Sequence, residues 1–306
     1  MKLALTLSLT IAPMLASPTA LARDVISAEF TDIAKIEIVS DSSDRIDIAD
    51  QLPMLGQRVA ASACVLTSGI EEEKSLAILE TSYQQFERIT TALRDGDADL
   101  NIPEPETRRI TLHDIDQVWA QWGTTHDAVL EILADKHDID AAHVIDDHNL
   151  KVLEATTVLA GDIAAQYTHP YEITQDNALL ISLAGRQRTL TQKMIKDACE
   201  IWTHYHEEEG REDLKKTMEI FENSMLALRD GMPALGIKKA PTPEIRADLD
   251  AILDRWQGIK HNQQRLIYGE EIAPEDKSEI FVDLNLELAE LNQLVAHYTA
   301  YATKHH

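Results

Sequence analysis

The chain contains the same unit twice. Shifted by 135 residues, Ala49–Gly96 falls on Ala184–Gly231 without a gap, and 15 of the 48 positions are identical. Unrelated helical stretches would share about three at ordinary residue frequencies. The identities include Leu55/Leu190, Gln57/Gln192, Ala63/Ala198, Cys64/Cys199, Phe86/Phe221 and the run Leu93–Gly96 against Leu228–Gly231. With small offsets the match continues: Pro103 and Pro105 answer Pro241 and Pro243, Trp122 answers Trp256, and Asn149-Leu150 answers Asn285-Leu286. Two units are too few for a solenoid. Equivalent units in one chain suit an internal version of a two-fold dimer.

Each copy reads as four helices. In the first copy, helix one is expected over Ser43–Thr67. Helix two carries Leu76, Leu79, Tyr83, Phe86, Ile89 and Leu93 at alternating spacings of three and four, which makes one apolar stripe. Gly96 stops it. Helix three carries Leu112, Ile115, Val118, Trp119 and Trp122, and helix four carries Val144, Leu153, Val158 and Tyr167. In the second copy, Leu214, Met218, Phe221, Met225 and Leu228 mark helix two. Leu249, Ile252, Trp256 and Ile259 mark helix three, and Pro274 opens helix four. Composition agrees: 11 Gly and 10 Pro in 306 residues, with 5% aromatics, argue against all-β, collagen-like and disordered classes. The expected fold is all-α, two tandem up-down four-helix bundles forming a pseudo-symmetric pair. The expected bundles are residues 43–170 and 171–306, with Pro170 at the junction; residues 23–42 are assigned no element.

Residues 1–22 have the layout of a secretory signal: Lys2, the largely apolar run Leu3–Leu15, then Pro18 and Ala20-Leu21-Ala22. Cleavage after Ala22 would give an exported, periplasmic chain beginning at Arg23; an uncleaved signal would tether it to the membrane. No later segment approaches 18 consecutive apolar residues, so no transmembrane segment is expected after cleavage. With 28 Lys and Arg against 53 Asp and Glu, the net charge of −25 opposes binding of nucleic acid or an anionic membrane surface through bulk charge.

Against that acidity, the segment Ala184-Gly185-Arg186-Gln187-Arg188-Thr189-Leu190-Thr191-Gln192-Lys193 is a local cationic exception. It resembles the first-helix signature of the PilJ/NarX-like family, the type IV pili methyl-accepting chemotaxis transducer N-terminal domain, which reads approximately A-G-x-x-R-M-L-S-Q-R. Thr189, Thr191 and Lys193 depart from it. The resemblance covers the second copy well and the first, through the repeat, more weakly. It implies a four-helix periplasmic sensor bundle. In nitrate-sensing members, two first helices pair across a two-fold axis and an Arg from each grips one anion; the matching residue here is Arg188.

Helix geometry restricts the choice independently. Arg186 and Arg188 lie about 200° apart around a helix, so both cannot face one cleft. Arg188 shares its face with Ala184, Gly185 and Gln192. A guanidinium fork suits a planar oxyanion and keeps its charge when desolvated. Gly185 permits close approach, and Thr191 and Gln192 offer neutral hydrogen bonds. Arg186, Lys193, Arg58 and Gln57 are secondary candidates. The first copy breaks the pattern: Asp50 stands where Gly185 does, and Pro53 where Arg188 does. A symmetric two-Arg clamp is therefore absent, and Pro53 is expected to kink helix one. The bland reading of these cations is surface ion pairing.

No metal site is expected. His204 and His206 lie beside Glu207–Glu209, and His137, His143 and His148 lie near Asp138, Asp140, Asp146 and Asp147, but no Glu-x-x-His repetition or H-E-x-x-H occurs. No nucleophile elbow, phosphate-binding loop or dinucleotide fingerprint is present, so neither catalysis nor a cofactor is expected. The tryptophans read as core. Cys64 and Cys199 occupy equivalent positions. A two-fold axis between the first helices would bring them together as a disulfide, but two separately buried thiols are the preferred expectation. The functional expectation is an exported ligand-binding sensor module that recognises a small anion such as nitrate or nitrite and reports to a membrane-bound signalling or receptor protein. The alternative is an adaptor or structural bundle that binds only a partner protein.

Overall fold

The computed structural model describes residues 45–167 and 174–304. The expected signal, the unassigned segment 23–42, the start of helix one at Ser43 and Pro170 all lie outside the described residues. The first copy comprises α1 (Arg45–Ala49), α2 (Leu52–Thr67), α3 (Glu72–Asp95), α4 (Arg109–Ala134) and α5 (Ile139–Tyr167). The second comprises α6 (Gln175–Thr203), α7 (Glu207–Asp230), α8 (Pro243–Ile267) and α9 (Pro274–Lys304). Among the described residues there are no β-strands, only isolated bridges at Asp97–Ile102 and Met232–Ile237. The all-α reading and the pair of four-helix bundles hold.

The capping chemistry is local. Thr174 Oγ1 accepts from Asn177 N to start α6, and Thr242 Oγ1 accepts from Ile245 N to start α8, where Pro243 occupies the first turn. Expected helix one is interrupted where the sequence places Pro53. The backbone turns at Asp50–Gln51, and α2 restarts with Pro53 in its first turn, where a missing N–H costs nothing.

The duplication is visible in the backbone itself. Gly96 and Gly231 end α3 and α7 with φ of +84° in both cases. A Cβ there would lie 3.0 Å from Ile102 O and 2.9 Å from Lys239 N, respectively. At the preceding turns, Gly69 and His204 have φ of +75° and +58°, and Glu71 and His206 have +48° and +52°. The second copy thus keeps a left-handed turn even where it has lost the glycine.

Each bundle has its own core, anchored by Trp122 stacked on Phe86 with ring centroids 3.8 Å apart, and by Trp256 against Phe221 at 4.8 Å. The cores join at the seam: Ala61, Val65 and Ile78 pack into the second bundle's core, and Leu288 into the first's. Every residue of α2 except Cys64 is buried, because α3 and α5 cover it from its own bundle and α6 from the other. One expected stripe is out of phase. Val144 and Val158 are exposed, and α5 turns Ile145, Asn149, Val152, Thr156, Leu159 and Ile163 inward instead.

Candidate functional site

Equivalent residues of the two copies' first-helix regions, α1–α2 and α6, meet at two levels of the seam. Cys64 and Cys199 are joined by a disulfide with Cα atoms 6.2 Å apart, in place of the separate thiols expected from the sequence. About 20 Å along the helices, at 1.5 Å per residue, Asp50 lies against Gly185: a Cβ on that glycine would be 2.6 Å from Asp50 Oδ2. Two helices whose equivalent residues meet at both levels run side by side in parallel about a two-fold axis.

Arg188 lies in this seam. It is 8% exposed, whereas Arg186 faces solvent. Arg188 Nη2 donates to Asp50 Oδ2 at 2.9 Å, and Nε donates to Gly185 O at 3.3 Å. Of the other expected site residues, Thr191, Gln192, Gln57 and Arg58 are buried and Lys193 is half-buried, and most are engaged elsewhere. Thr191 Oγ1 donates to the carbonyl of Arg188 at 2.8 Å, one turn back on its own helix. Gln192 Nε2 reaches only Thr191 Oγ1, at 3.5 Å, and Gln192 Oε1 has no hydrogen-bond partner. Gln57 donates to Asn149 Oδ1 at 2.7 Å inside the first bundle. Lys193 points away from the groove, to Asp197 and Asp213.

Arg58 is fully buried and donates to Asn285 Oδ1 at 3.3 Å across the seam. Burial pushes its guanidinium down to about 9, so it remains a cation at neutral pH. Arg45 lies outside the groove, where Nη1 donates to Leu93 O at the end of α3 and the side chain stands 3.9 Å from Glu106.

On one flank of the seam the copies exchange charge in a way that sequence reasoning missed. Lys196 of α6 reaches Asp146 of α5 and Asp197, each at 3.3 Å, and also Glu200. Burial alone would lower the Lys196 ammonium, but Asp197, Glu200 and Asp146 more than reverse this. Burial pushes Glu200 up to about 8, against the pull of Lys196. Beside them, Asp147 Oδ1 accepts from Tyr205 at 2.9 Å and lies 3.1 Å from His206 Nε2, and His143 stacks on Tyr205. The two histidine groups, separate in sequence, therefore meet across the copies. Ligand atoms of Asp146, Asp147 and His206 lie within 4.8 Å of one another, with Lys196 already on Asp146. The only advance signal was the repeat, which places α5 against the partner copy's first helix.

An open groove of about 490 Å³ lies elsewhere, between α4 and α5, lined by Asp114, Gln121, Lys151 and Glu154 among others. None of the expected site residues borders it.

A tandem pair of four-helix bundles that encloses an Arg between its copies is the class that this seam defines. The family model described as type IV pili methyl-accepting chemotaxis transducer N-term matches residues 39–147 and 174–279. The chain belongs to that family and carries its domain in two segments, consistent with tandem copies. No protein of curated description matches the chain.

Proposed function

We propose that this chain is an exported sensor module that binds a small planar anion, nitrate or nitrite being the first candidates, at Arg188 in the seam between α2 and α6. It would report occupancy to a separate membrane-bound signalling protein. The observation that carries the reading is Arg188 itself: a guanidinium almost enclosed between the two copies, over a glycine that lets a polar group approach the backbone. An enclosed cation strengthens charge-assisted hydrogen bonds to a small oxyanion. The seam is also where a bound ion could shift one copy against the other. No described helix is long and apolar enough to cross a membrane, which fits a module that passes its signal to a partner.

The second reading, an adaptor that binds only a partner protein, is favoured by one observation: Arg188 already has the Asp50 carboxylate, and the Thr191 hydroxyl is engaged by its own helix. Calorimetric titration with nitrate and nitrite separates the two. On the anion reading the native chain binds, Arg188→Ala abolishes binding, and Arg186→Ala leaves it intact. Binding that survives Arg188→Ala but fails in Arg186→Ala would reverse the helical phase. No anion binding in any form would leave the adaptor reading. Export is tested by the intact mass of the native protein, which should begin at Arg23.

A further inference from the structure

Resting on the anion reading above, we propose that Asp50 is a specificity-determining residue of the Arg188 site: a tethered carboxylate that holds the guanidinium and that an incoming anion must displace. The repeat explains its position. Asp50 is the counterpart of Gly185, so the two-fold operation that brings the copies together also lays its side chain over that glycine. The contact is a single charge-assisted hydrogen bond, Nη2 to Oδ2 at 2.9 Å. Its two ends differ in burial: the Arg188 side chain is 10% exposed and that of Asp50 is 44% exposed. The acid therefore has water to turn into, while the guanidinium remains enclosed. Asp50 also lies in the turn between α1 and α2, where its own N–H still donates to Ile46 O at 3.0 Å, so the side chain can turn out while the backbone stays anchored.

The first copy's other change supports the same conclusion. Pro53 stands at the counterpart of Arg188, so the seam offers one cation at this level where two would have met an anion. With Asp50 in place, Arg188 is neutralised; an added anion would leave excess negative charge unless the acid swings out. Displacement then selects by geometry. A planar oxyanion can take two N–H donors at once and replace Asp50's single bond with two, whereas a halide cannot. Nitrate, nitrite and small carboxylates are the class expected to compete.

Titration calorimetry of the full chain with nitrate tests this, comparing native, Asp50→Asn and Asp50→Glu, and Asp50→Asn combined with Arg188→Ala. Asp50→Asn should bind nitrate about fivefold tighter than native, the scale set by loss of one partly exposed ion pair. Asp50→Glu, which keeps the competing charge, should remain close to native. The double variant should lose binding. Equal gains in Asp50→Asn and Asp50→Glu would trace the effect to a loosened turn and overturn the proposal. So would native-like affinity in Asp50→Asn while Arg188→Ala abolishes native binding, and in that case the anion reading itself would stand. Absence of nitrate binding in both native and Asp50→Asn would overturn the anion reading and this proposal together. If Asp50→Asn fails to fold, the native chain serves: the Asp50 carboxyl carbon resonance should move on nitrate addition, and a stationary signal refutes displacement.

Discussion

Glu287 is wholly buried on α9, with neither carboxyl oxygen hydrogen-bonded and Arg255 Nε standing 3.8 Å away. Burial, reinforced by Glu290, pushes its carboxyl up to about 9 from an ordinary 4.5. Between those values the unfolded chain releases this proton while the native chain retains it. The native state then binds more protons, so this residue's contribution to stability falls as pH rises from about 4.5 to 9. Glu287→Gln should therefore stabilise the fold by about 2–3 kcal/mol at pH 8 and change little at pH 5. Denaturant unfolding at the two pH values checks this, and an equal effect at both would contradict it. Arg58 shows the same limit of sequence reading at this scale. It reads as a spare cation for an anion, but its depth and its bond to Asn285 depend on how α9 lies across the seam.

Among the elements, the turns after α3 and α7 are the most faithful record of the duplication. Gly231 combines a φ of +84° with backbone atoms where a Cβ would go. Gly231→Ala should therefore cost about 2 kcal/mol. Gly123, mid-helix on the exposed side of α4 with nothing within 4 Å, should gain up to about 1 kcal/mol on change to Ala. Thermal melts of the two variants should shift in opposite directions. The helices, the stop at Gly96 and the break before Pro53 were legible because each rests on local rules of spacing, glycine and proline. The phase of α5 was not. Its inward face carries Asn149 and Thr156, which read as polar but are buried because Gln57 and the helix's own carbonyls satisfy them. Its apolar Val144 and Val158 look inward by composition and face solvent. At the site, helical phase separated Arg188 from Arg186, but the Asp50 partner required the two-fold relation between copies.

For the whole molecule, the two copies form one body about the α2–α6 seam, and joining them in one chain frees the halves from being identical. A homodimer must present the same groups on both sides of its axis. Here one flank carries Lys196, Asp146 and Glu200, and the other carries Arg58 with Asn285 and Glu71 with Ser278. That asymmetry also allows an acid in one copy to meet the Arg of the other. The disulfide fixes the arrangement covalently across a sequence separation of 135 residues. On the chain-entropy model, closing such a loop contributes about 5 kcal/mol. Replacing both cysteines with serine should lower stability by up to that amount while leaving the helix content unchanged by circular dichroism. The most direct test of the paired seam is thiol titration of the native chain, unfolded without reductant, together with its mass. The seam predicts no free thiols at monomer mass. Two free thiols, or a disulfide-linked dimer, would contradict it.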